Sequence, residues 1–133
     1  MVLDFLFGRK EKKVVRTTVG VLKPYDRDYI KGEWTRVEEL VSTARPSAFK
    51  EAVILADKLL DYALAQISSG ETMGERLKNA APAFSRDIYQ GLWDAHKARN
   101  ALVHEAQFDL TTALAKDVLA KFKKGFMELG VRI

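Results

Sequence analysis

The residues of this chain best placed to do chemistry stand in one short run, Leu92-Trp-Asp-Ala-His-Lys-Ala-Arg-Asn-Ala-Leu-Val-His-Glu105. It offers a permanent cation at Arg99, an amide at Asn100 and titratable imidazoles at His96 and His104. The run reads as the later half of an amphipathic helix. Taking about 100° per residue and His96 as origin, Arg99 falls at about 300°, Val103 at about 340°, Asn100 at about 40° and His104 at about 80°. Ile88, Leu92, Ala95 and Leu102 occupy roughly 240–320° on the same wheel. The polar group therefore borders the apolar stripe, and a site is expected at this edge of the core. Two other uses are open to the same residues. His96, Asn100 and His104 share one face and could approach a metal ion, but that face carries no carboxylate. Arg99 and His104 could also cap the last carbonyls of the helix, as cations do there.

Those side chains need a scaffold, and the apolar spacing predicts one. Tyr29, Ile30, Trp34, Val37, Leu40 and Val41 recur at three- and four-residue steps, predicting a first helix from about Arg27 to Ser42. Pro24 bars helix at Lys23. Ser47 is a candidate cap for a second helix, whose apolar arc (Phe49, Val53, Leu59, Leu60, Leu64, Ile67 among others) is wide enough to place it deepest. Asp57 and Asp61, one turn apart with Lys58 between them, are expected on a solvated edge of that helix. Ser68-Ser-Gly70 ends it. Thr72-Met-Gly-Glu75 is a capping box opening a short helix that stops before Pro82. Ser85 can cap a fourth helix ending near His104, and Thr111 or Thr112 a fifth that Gly130 terminates. The fold class is thus all-α: an up-and-down bundle of four main helices plus one short helix over residues 26–133. Residues 1–25 form a tail and connector. Val14 to Leu22 is β-branched and extended, with no partner strand later in the chain.

With 133 residues, 47% of them apolar, the chain has the material for one domain with a real core. It has no cysteine, which excludes disulfides, thiolate metal sites and cysteine nucleophiles and fits a cytoplasmic home. The net charge of +4 permits an anionic partner without demanding one. Most of that excess sits in the tail, where Met1-Val-Leu-Asp-Phe-Leu-Phe7 precedes Gly8-Arg-Lys-Glu-Lys-Lys13. This order reverses that of a secretory signal. Residues 1–13 could instead lie on an anionic membrane surface, giving a peripheral location, or dock on the domain or a neighbouring chain.

Arg99-Asn-Ala-Leu-Val-His104 resembles the signature of the HEPN superfamily: an Arg, four to six residues, then a His, with a polar residue often directly after the Arg. Ala56-Asp-Lys-Leu-Leu-Asp-Tyr62, within Phe49 to Leu64, resembles an earlier core helix of small bacterial members. The resemblance covers residues 26–130. It implies a metal-independent endoribonuclease that needs no cofactor and works as a homodimer, its active site assembled across the dimer, in toxin–antitoxin or defence settings with an antitoxin or other protein partner. In such chemistry a ribose 2′-hydroxyl attacks the adjacent phosphate and leaves a cyclic phosphate. The resemblance makes His104 the general acid or base, Arg99 the phosphate-holding group and Asn100 the residue that orients them. His96, one turn before Arg99, and Trp93, at about 60° beside Asn100, are expected to contact the RNA, Trp93 by stacking a base. Each also has a plainer use, a surface histidine and a core aromatic. Many members of the superfamily are non-catalytic, so a helical adaptor that binds protein or nucleic acid, tethered to a membrane surface by its tail, is the alternative. No phosphate-binding glycine loop, Walker motif or serine triad is present.

Overall fold

A computed structural model describes residues 18–133. The expectations resting on the first 17 residues, including the membrane-surface contact of residues 1–13, lie outside the described residues. The remainder is all-α: α1 (Pro24–Ser42), α2 (Pro46–Ile67), the short α3 (Met73–Asn79), a 3-10 turn (Ala81–Ala83), α4 (Arg86–His104) and α5 (Thr112–Glu128). This is the expected set of four long helices and a short one, with no strand among the described residues.

Helix starts differ from expectation at the two prolines. α1 begins at Pro24, three residues before Arg27, and α2 begins at Pro46 with no Ser47 cap. The physical reason is shared. Proline's fixed φ suits the first helical turn, where its missing N–H is not needed, while the residue before it stays extended. Lys23 (ψ 160°) and Arg45 (ψ 140°) are extended in this way. Thr72 caps α3 by accepting from the Glu75 N–H at 3.1 Å, but the Glu75 carboxylate accepts from the Glu71 N–H, not from Thr72. Ser85 makes no side-chain cap; its N–H donates to Glu128 Oε1 at 2.8 Å, tying the start of α4 to the end of α5. Thr111 caps α5 through the Leu114 N–H at 3.1 Å.

Eleven of the 22 residues of α2 are buried, making it the central helix that the wide apolar arc predicts. α1, α4 and α5 each pack against it, and Trp34 of α1 also meets Phe126 of α5 edge-on at 5.6 Å between ring centroids. Ile30, Trp34 and Val37 of α1 meet Val53, Leu60 and Leu64 of α2, and Phe122 and Phe126 of α5 complete the core. Helices α4 and α5 are in close contact at Gly125, where an added Cβ would stand 2.6 Å from Leu92 Cδ2.

The connector seals one end of this core. The Gly20 N–H donates to the Ile67 carbonyl at 2.8 Å, Leu22 is buried, and Arg27 Nη1 donates to the Leu22 carbonyl at 2.6 Å. Tyr62 adds a cross-helix tie, its hydroxyl donating to Asp26 Oδ1 at 2.8 Å. That bond to a carboxylate is the main reason the Tyr62 hydroxyl is pushed up to about 12, since losing the proton would leave two anions in contact. No helix among the described residues is long and apolar enough to cross a membrane.

Candidate functional site

Leu92 and Ala95 carry α4 into the core. The residues beside them on the helix wheel then stand along the seam with α2. His96, Arg99 and Asn100 meet there around one carboxylate from the other helix. His96 Nδ1 lies 2.8 Å from Asp57 Oδ1, and Arg99 Nε lies 3.5 Å from Asp57 Oδ2. Arg99 Nη1 donates to Asn100 Oδ1 at 2.9 Å, and Asn100 Nδ2 is 3.4 Å from His96 Nε2. The four side chains close a ring.

Chemistry dictates the direction of each link. A guanidinium only donates, so the Asn100 oxygen must face Arg99 and its NH2 must face His96. His96 Nε2 then accepts, which leaves the proton on Nδ1, facing Asp57 Oδ1. The loosest joint is at Arg99 Nε, which is buried and has no hydrogen-bond partner at its 3.5 Å distance from Asp57.

This ring corrects the expectation for Asp57. The residue is not on a solvated edge but 4% exposed, facing α4, while Asp61 one turn later is half-buried. Asp61 turns toward the α3 side, where Arg76 Nε and Nη2 donate to its Oδ1 at 2.9 and 2.7 Å. A sequence signal for Asp57 existed. It falls at the helical step between Val53 and Leu60, both fully buried, so it stands on the apolar face and demands a buried partner.

The candidate residues separate into an inner and an outer group. The side chain of His96 is 13% exposed and both of its ring nitrogens are engaged within the ring. Trp93 packs against the core, its indole edge-on to Tyr89 and His96 with centroids 6.3 Å from each, and its ring lies over Gly74 of α3. Arg99 is half-buried, with 30% of its side chain exposed. It does not cap the helix; the Glu105 N–H closes α4 by donating to the Ala101 carbonyl at 2.9 Å. His104 is exposed at the last position of α4, four residues after Asn100 and so its neighbour along the helix surface. Its side chain makes no hydrogen bond or ion pair among the described residues.

The structure therefore brings Arg99, Asn100 and His96 together with Asp57 and leaves His104 at the surface beside them. With Nε 3.5 Å from Asp57 and Nη1 donating to Asn100, the guanidinium has Nη2 without a partner among the described residues, a donor that an outside anion such as a phosphate oxygen could accept from. The carboxyl end of a helix is its negative pole, so attraction of an anion here depends on that guanidinium. No family model, curated protein or solved structure matches this chain.

Proposed function

We propose that this protein is a HEPN-type, metal-independent endoribonuclease that acts as a homodimer. The observation that supports this reading most is the placement of Arg99: paired with Asp57 and bonded to Asn100, its side chain 30% exposed, with Asn100 one helical turn before an exposed imidazole at His104 that is unengaged among the described residues. Those groups suffice for strand cleavage by the RNA's own nucleophile. His104 takes the proton from a ribose 2′-hydroxyl; the O2′–P bond forms and the P–O5′ bond breaks; an imidazolium returns the proton to the departing 5′ oxygen. The products are a 2′,3′-cyclic phosphate and a 5′-hydroxyl. Arg99 binds the non-bridging oxygens, where negative charge concentrates in the transition state. Two imidazoles, one from each subunit, let one act as base while the other acts as acid.

The test is cleavage of a mixed-sequence single-stranded RNA by the purified full chain in excess chelator, with the termini of the products identified. Arg99→Ala and His104→Ala are each expected to lower the rate about a hundredfold or more while the helical signal is unchanged. A 2′-deoxy residue at the cleaved position should block the reaction. Activity that requires added metal, or that survives both substitutions, rules the mechanism out. The alternative, a non-catalytic adaptor, draws on a different surface. There an apolar groove between α1 and α5 is floored by Trp34, Val37, Val41 and Leu119 and edged by Lys116 and Lys123. It predicts a chain inert toward RNA with a partner bound in that groove.

A further inference from the structure

We infer that Asp57 and His96 are positioning residues, which hold Arg99 and Asn100 in the one arrangement that turns the guanidinium's outer end toward a phosphodiester. The inference rests on the RNA-cleaving reading and divides labour between the two histidines. The sequence makes both candidates, His104 for proton transfer and His96 for contact with the RNA. The ring separates them, because His96 spends Nδ1 on Asp57 and Nε2 on Asn100, while His104 has neither nitrogen engaged among the described residues.

The argument follows from donor and acceptor count. With the Asn100 oxygen accepting from Arg99, its NH2 faces His96 Nε2 at 3.4 Å. That nitrogen is an acceptor only while the proton sits on Nδ1, and Asp57 Oδ1 is what holds it there. The second oxygen of the same carboxylate faces Arg99 Nε. One buried carboxylate thus orients the guanidinium twice, directly and through His96 and Asn100. Remove it and the long Arg99 side chain, already 30% exposed, is free to swing into solvent.

The experiment uses isotope-labelled full-length chain and reads the ring before any RNA is added. Nitrogen chemical shifts are expected to show His96 neutral with its proton on Nδ1, and the Arg99 Nε–H signal should exchange slowly with solvent. Asp57→Asn keeps an acceptor for His96 but sets an amide NH2 against Arg99 Nε–H, so it should selectively lose the Arg99 signal. An all-2′-deoxy oligonucleotide then measures binding without cleavage, and the matching RNA measures kcat and KM. Asp57→Asn and His96→Phe are expected to weaken binding roughly ten- to a hundredfold, the worth of one hydrogen bond to a charged group, and to raise KM more than they lower kcat. His96→Asn, which retains a donor opposite Asp57, should recover part of that loss. His104→Ala should do the reverse, lowering kcat with binding intact.

Three results overturn the inference: wild-type binding in Asp57→Asn, a His96→Phe variant that loses kcat while still binding, or a His96 ring protonated on both nitrogens. If the wild-type chain neither binds nor cleaves RNA, the proposed function falls and the phosphodiester with it. The two resonance signatures then decide separately whether the ring orients Arg99. Circular dichroism of each variant identifies one that has simply unfolded, in which case His96→Asn, the mildest change, carries the test.

Discussion

The seam that holds α4 in register depends on a residue with no side chain. Leu92, one turn before His96, rests its isobutyl group on Gly125 of α5, and both are fully enclosed. A methyl added at Gly125 would stand 2.6, 2.9 and 3.1 Å from Leu92 Cδ2, Cδ1 and Cγ. Carbon atoms in contact prefer about 3.5–4.0 Å, so the helices must part by something near 1 Å or Leu92 must leave its rotamer. Overpacking of that kind costs about 1–3 kcal/mol, and the better helix propensity of Ala over Gly returns about 1 kcal/mol. We therefore expect Gly125→Ala to lose up to about 2 kcal/mol. Leu92→Ala alone should lose about 2–5 kcal/mol through the cavity it leaves. Combined, the new methyl occupies part of the vacated space, so the double variant should be at least about 1 kcal/mol more stable than the sum predicts, well outside ordinary additivity of about 0.3–0.5 kcal/mol. Urea unfolding followed by far-ultraviolet circular dichroism measures all four corners, provided the m-value stays constant. An additive cycle, or a Gly125→Ala variant at least as stable as the parent, would refute the reasoning.

Other predictions follow from single contacts. The Tyr62 hydroxyl is raised from 10.0 to about 12 by its bond to Asp26, so the folded state holds this proton more tightly than the unfolded chain does. The stabilisation is complete below the unfolded value and is lost as pH rises toward 12. Tyr62→Phe should therefore flatten the fall of the thermal midpoint between pH 10 and 12, and parallel profiles for the two proteins would contradict the assignment. Arg76 donates twice to Asp61 and once, at 2.8 Å, to the Gly70 carbonyl, tying the loop before α3 onto α2. Arg76→Ala should cost about 1–2 kcal/mol, discounted for the partial exposure of Asp61, and should release hydrogen-exchange protection in α3 before α1 or α2. Uniform loss of protection across the bundle would show that α3 is not a separate unit.

The helical bundle was legible because its information is local. Three- and four-residue apolar steps mark the buried stripes of α1, α2, α4 and α5, and Thr72, Thr111 and Gly130 mark helix ends by chemistry that needs only near neighbours. Arg99, Asn100 and His104 could be picked out in the same way, from their place at the border of one stripe. The prolines at the starts of α1 and α2 are equally local signals, and Pro46, not a Ser47 cap, sets the start of α2.

The partner across the seam was not local. A helix wheel places Asp57 within one helix but does not say which other helix covers it, and the nearby Asp61 and Lys58 suggested water. Only the packing of α4 over α2 decided that Asp57 would be buried, and a buried carboxylate must gather donors, here His96 and Arg99 from 39 and 42 residues further along. That contact also separates the two histidines, engaging His96 and leaving His104 without a partner among the described residues. A sequence can state which groups are available and on which stripe they stand. Which of them are desolvated, and so forced into partnership, depends on long-range burial that only the assembled helices supply.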